Sequence, residues 1–102
     1  MIAEISVIPV GKGIDLAAHV AGIVKLIDES GLDYKLNAMG TVVEGDSELV
    51  FDLIKKCHNK MLETAQRVYT TVKIDDRKDK QAKMIEYKVR AVEMALGKSL
   101  RK

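Results

Sequence analysis

The stretch Tyr34 to Asp46, YKLNAMGTVVEGD, leaves this chain little freedom in how it folds. Tyr34, Leu36 and Ala38 alternate with Lys35 and Asn37, Gly40 permits a turn that a side chain would obstruct, and Thr41, Val42 and Val43 favour a pleated strand. The pattern predicts a tight β-hairpin. Gly45-Asp46-Ser47 ends its second strand and offers Asp46 or Ser47 as the N-cap of a following helix. The polar residues Asn37, Thr41 and Glu44 fall within a segment otherwise suited to burial, and that polarity needs a reason.

The remaining elements arrange themselves around this hairpin. Ile2 to Val10 predicts a first strand, with Ala3, Ile5, Val7 and Pro9 on one face and Ile2, Glu4, Ser6 and Ile8 on the other. Pro9 cannot donate to a ladder, so it marks the strand's end or an unpaired position. Gly11-Lys12-Gly13 reads as a connecting loop, because it lacks the spacing of a phosphate-binding fingerprint. Apolar residues at helical intervals predict a helix from Ile14 to Ser30, closed by Gly31, and a second from Ser47 to Thr64 carrying Val50, Leu53, Ile54, Cys57 and Met61. Arg67 to Asp75 alternates as a fourth strand. A last helix is expected from Lys78 to Leu96, with a seam of Ala82, Ile85, Val89, Val92 and Leu96 for docking on the domain or on a neighbouring chain. The order β-α-β-β-α-β plus a C-terminal helix predicts an α+β, ferredoxin-like sandwich whose four-stranded antiparallel sheet is covered by two helices on one face.

At 102 residues, positions 1–102 accommodate a single domain. Seventeen basic side chains nearly cancel fifteen acidic ones, for a net charge of +2, so no strong field for nucleic acid is implied. The third strand carries no aromatic on which a base could stack, which argues further against RNA. Cys57 is the only cysteine, which excludes an intrachain disulfide and favours a reducing, cytoplasmic setting. No apolar run approaches the ~20 residues that span a bilayer, so no membrane partner is expected. His19, His58 and Cys57 lack metal-ligand spacing, and Cys57 and His58, adjacent on a helix, point in directions about 100° apart, unsuited to a nucleophile–base pair. Neither a metal site nor a catalytic residue is expected. Arg77, in the mixed run Asp75 to Lys80, reads as part of a solvated loop or as a bidentate ligand for a carboxylate or phosphate.

Ser6, Asn37, Thr41 and Glu44 are polar groups on or beside strands ~4.8 Å apart, close enough to converge on a small polar ligand. The alternative is structural: Asn37 and Thr41 satisfy the turn and Glu44 pairs with a surface lysine.

ISVIPVG at Ile5 to Gly11, SGLDYKLNAMGTVVEGD at Ser30 to Asp46 and RVYTTVKIDDR at Arg67 to Arg77 together resemble the thiamine-binding family UPF0045, also called DUF77. The resemblance covers nearly the whole chain. It implies a ferredoxin-like subunit that pairs into a homodimer or homotetramer and binds thiamine or its hydroxymethylpyrimidine moiety without catalysis or cofactor, as carrier or sensor. An oligomeric regulatory or assembly module with a different ligand is the other reading. The family's ligand region maps onto Ser6, Asn37, Thr41 and Glu44, with Tyr34 and Met39 as neighbours. In that mapping Glu44 accepts from an exocyclic amine, as carboxylates do from cytosine, and Ser6, Asn37 or Thr41 serves the ring nitrogens. Glu44 or Glu4 would favour a cationic thiazolium.

Overall fold

The computed structural model describes residues 1–79 and 82–102. The elements run β1 (Ile2–Pro9), α1 (Ala17–Glu29), β2 (Asp33–Asn37), β3 (Gly40–Glu44), α2 (Ser47–Leu62), β4 (Val68–Asp75) and α3 (Met84–Leu96). All strand pairs are antiparallel, in the order β2-β3-β1-β4. This is the expected ferredoxin-like α+β sheet with an added C-terminal helix.

Strand alternation sets the two faces. Ala3, Ile5, Val7 and Pro9 are buried while the residues between them are half-exposed. Register carries that division across the sheet, since Ala3 faces Val43 and Ile5 faces Thr41. The buried face meets Ile23 and Ile27 of α1 and Val50, Leu53, Cys57 and Met61 of α2, which form one continuous core with it. Each helix contributes residues three or four apart, the spacing of one helical face.

Helix ends follow local chemistry. The Asp46 side chain accepts from Glu48 N–H at 3.0 Å, and Glu48 in the first turn and Lys60 in the last suit the helix dipole of α2. The α1 helix is shorter than its apolar pattern. It begins at Ala17, whose N–H donates to Asp15 Oδ1 at 3.1 Å, and it stops before Gly31, which takes the left-handed conformation at φ 79°.

Two features of the hairpin and of α3 differ from the sequence reading. The hairpin turn is Ala38-Met39, and Gly40 is already a strand residue paired with Asn37. Gly40 suits a close approach, because a Cβ there would lie 3.2 Å from Ile5 O, a tight contact that the backbone would have to relieve by a few tenths of an ångström. The last helix starts at Met84, preceded by Lys83 at φ 57°. Lys78 and Ala82 stand outside it, and the part of the expected helix at Lys80 and Gln81 lies outside the described residues. Periodicity pointed to the seam through Ile85 and Val89, yet the fully buried member of α3 is Met84, at 3% exposure.

The α3 helix sits on the face away from α1 and α2. Glu44 follows Val43 in β3 and so projects to that opposite face, where its carboxylate meets the start of α3. Lys88 of α3 pairs with Asp75 of β4, and on the same face Lys73 pairs with Glu4 at 3.7 Å.

Candidate functional site

A cavity of about 250 Å³ lies at the hairpin end of the sheet. Its walls are Ile5 to Ile8 of β1, Leu36 to Thr41 of the hairpin, and Val20, Ile23, Val24 and Ile27 of α1. It exists because the strands are unequal in length. β1 pairs with β4 through Pro9, but its pairing with β3 stops at Ile5 and Thr41, where the hairpin turns back. Ser6, Val7 and Ile8 therefore have a strand on one side only, and α1 roofs the gap on the other.

Four of the six residues singled out in the sequence, Ser6, Asn37, Met39 and Thr41, border this cavity. Register puts Thr41 on the face toward the helices and Ser6 and Asn37 on the opposite face, and the gap beyond β3 lets both sets meet at one place. Thr41 is buried, at 4% exposure, whereas Met39 at the turn is 88% exposed. No lining side chain carries a charge. The remaining lining is aliphatic, which suits the faces of a flat ring, while hydroxyl and amide groups at the rim can direct its polar edge.

Tyr34 and Glu44 are held elsewhere. Tyr34 donates its hydroxyl to Asp28 Oδ1 at 2.7 Å, a bond that holds the phenol above its usual pKa. Glu44 is buried, at 5% exposure, and both its oxygens are engaged: Oε2 accepts from Met84 N–H at 2.6 Å and Oε1 from Ile85 N–H at 3.2 Å. It supplies from β3 the N-terminal cap that α3 lacks within its own sequence. Among the described residues its partners are main-chain donors rather than a surface lysine.

The other candidate groups have structural surroundings. His58 Nδ1 lies 2.6 Å from Thr70 Oγ1, tying α2 to β4. Cys57 is buried, and loss of solvation pushes its thiol up to about 11. Arg77 makes a bidentate pair with Asp79, through Nε to Oδ1 at 3.0 Å and a terminal nitrogen to Oδ2 at 2.6 Å. Among the described residues no group of three His, Cys, Asp or Glu side chains could hold a metal ion, and no helix is long and apolar enough to cross a membrane.

The aliphatic walls from α1, Val20, Ile23, Val24 and Ile27, have the spacing of any core-facing helix stripe, so nothing in that pattern marks them as a site, and the open edge of β1 is a property of its pairing. Its only sequence signal is the mismatch between a long first strand and a short hairpin.

A ferredoxin-like domain with an uncharged cavity at the end of its sheet defines a small-ligand binding protein in form. Comparison with known proteins agrees: the sequence profile of the thiamine-binding protein family matches residues 3–93. The chain belongs to that family. It is 38% identical over 92 residues to a UPF0045 protein of Methanocaldococcus jannaschii, covering 90% of this chain and 91% of the relative. The crystal structure of a hypothetical protein from the same organism superposes with a TM-score of 0.83 at 37% identity, over 89% of this chain and 93% of the other. A Thermotoga maritima protein assigned provisionally to thiamine biosynthesis or salvage shares the fold, with a TM-score of 0.79 at 24% identity, over 89% of this chain and 96% of that one.

Proposed function

We infer that this protein binds thiamine or its hydroxymethylpyrimidine moiety without transforming it, acting as a carrier or sensor. The observation that carries the reading is the cavity, aliphatic on its walls, polar at Ser6, Asn37 and Thr41, and free of charged side chains. Ligand sites commonly measure ~300–1,000 Å³, so about 250 Å³ suits one substituted ring better than two. The aminopyrimidine ring enters, and a cationic thiazolium stays at the mouth near Met39, where water solvates its charge. Family membership supports the ligand class. That the matching family is one of binding proteins supports binding without turnover.

The test is native mass spectrometry of the protein with thiamine, hydroxymethylpyrimidine and a thiazole alcohol. Retention of the first two at unchanged mass is expected. Turnover of any of them, or retention of the thiazole alone, would overturn the reading.

Self-association into a homodimer or homotetramer belongs to the same reading. Tyr69 on the face away from α1 and α2, and Val92, Met94 and Leu96 on α3, are 53–76% exposed. Such a display of large apolar groups is the usual mark of an interface. Sedimentation at micromolar concentration is expected to give a species of two or four chains, and a lone 11.3 kDa species would refute it.

A further inference from the structure

Among the described residues, main-chain bonding along β1 leaves one donor–acceptor pair without a partner, and it lies at the cavity. On the β3 side, Met1 and Gly45 exchange both bonds, the terminal amine donating to Gly45 C=O at 3.1 Å and Gly45 N–H to Met1 C=O at 3.0 Å. In an antiparallel ladder such pairs recur at every second residue. Ala3 with Val43 and Ile5 with Thr41 are therefore the next two, and Val7 with Met39 would be the third. Met39 is in the turn, and the ladder has already ended.

Counting from the other side of β1 gives the same answer. Val10 N–H donates to Arg67 C=O at 2.8 Å, so Ile8 with Tyr69 and Ser6 with Thr71 are the bonded pairs toward β4. Val7 and Thr70 are then a pair whose main-chain groups turn outward. Val7 N–H and C=O thus both point into the gap beside the hairpin tip, and among the described residues neither has a hydrogen-bond partner. Val7 is 5% exposed. Buried main-chain groups are nearly always paired, so an unpaired couple in a cavity wall marks a place for an outside partner.

We propose that Val7 N–H and C=O are the primary recognition element, and that they read a planar heteroaromatic ligand presenting a ring-nitrogen acceptor beside an exocyclic-amine donor. The ring nitrogen accepts from Val7 N–H and the amine donates to Val7 C=O, so the ligand occupies the place of the missing strand residue. This rests on the reading that the cavity holds an aminopyrimidine, and it moves amine recognition from a carboxylate side chain to the main chain. Glu44 is not needed for it, and an uncharged wall is consistent with a neutral ring. Ser6, Asn37 and Thr41 then choose among ring substituents.

The experiment is amide hydrogen exchange by NMR, with 4-amino-5-hydroxymethyl-2-methylpyrimidine as probe and, as control, the analogue whose amine is replaced by methyl. In the free protein Val7 N–H is expected to exchange faster than the bonded amides of Ile5 and Ile8. Saturating aminopyrimidine is expected to slow Val7 exchange at least tenfold, and the methyl analogue to bind at least tenfold more weakly. A free-state Val7 amide as protected as Ile8 would show that the gap is closed, and overturn the proposal. Aminopyrimidine binding with unchanged Val7 exchange would overturn it while leaving the proposed function standing. Absence of binding at millimolar concentration would remove both.

Discussion

Replacing Glu44 by Gln separates its two candidate roles, because the substitution keeps size and removes charge. In the structure the carboxylate accepts from Met84 N–H and Ile85 N–H at 2.6 and 3.2 Å while only 5% exposed. A glutamine has one amide oxygen, so one of these donors loses its acceptor and faces an NH₂ group. Hydrogen bonds to charged groups contribute about 1.5–3 kcal/mol, and a negative charge at a helix N-terminus adds ~0.3–1 kcal/mol. The longer bond at 3.2 Å belongs to the weak end of that range, which places the expected loss at about 2 kcal/mol. Among the described residues no other side chain caps α3, and Met84 is its one fully buried residue. The loss should therefore appear first as fraying of α3. Urea unfolding followed by circular dichroism measures the size of the effect, and exchange of the Tyr87 amide, bonded to Lys83 C=O at 3.0 Å, reports on α3 locally. For a domain of this size, 2 kcal/mol corresponds to roughly 8–16 °C in Tm. Affinity for thiamine or the aminopyrimidine should stay within twofold. Stability within 0.5 kcal/mol of wild type, together with a tenfold loss of ligand affinity, would return Glu44 to the binding site and refute this reasoning.

Other perturbations address the remaining parts of the account. Thr41→Val removes a hydroxyl at nearly constant shape in the cavity wall, and calorimetry should show about 0.5–1.5 kcal/mol weaker aminopyrimidine binding with the fold intact. Glu93 is held down to about 2 by Lys102, then by Leu100 N–H and Ser99, so its contribution to C-terminal packing is present above the ~4.3 of an unfolded glutamate and is lost as pH falls through about 2. The Leu100 amide signal, followed by NMR from pH 6 down to 2, should change only toward the acid end, and a transition centred near pH 4.3 would contradict the assignment. Cys57, with its thiol pushed up to about 11, should resist iodoacetamide at pH 8 until urea unfolds the chain, and rapid alkylation of folded protein would show that α2 opens readily.

What was legible in the sequence follows from how local each cause is. Strand alternation in Ile2 to Pro9, the cap at Asp46 and the helical spacing of Val50, Leu53, Cys57 and Met61 are local patterns, and the structure contains them as expected. The role of Glu44 was not legible, because its partners lie forty residues on and main-chain donors leave no mark on sequence. Gly40 misled for a related reason: turns and close backbone approach both select glycine, and only the position of Ile5 O distinguishes them. The α3 helix begins later than its sequence pattern, because the charged run after Asp75 is compatible with helix by propensity, whereas Lys83 in the left-handed region breaks it. For the candidate site, residue types drew attention to Ser6, Asn37, Met39 and Thr41. The cavity itself depends on where pairing stops, a property of two strands together.

The most direct test of ligand binding at the hairpin end of the sheet is a chemical-shift map of the ¹⁵N-labelled protein titrated with thiamine. Saturable shifts should cluster at Ser6 to Ile8, Asn37 to Thr41 and Val20 to Val24, the three walls of the cavity. Saturable shifts centred instead on Glu44, Met84 and Lys88, or a spectrum unchanged at millimolar thiamine, would contradict it.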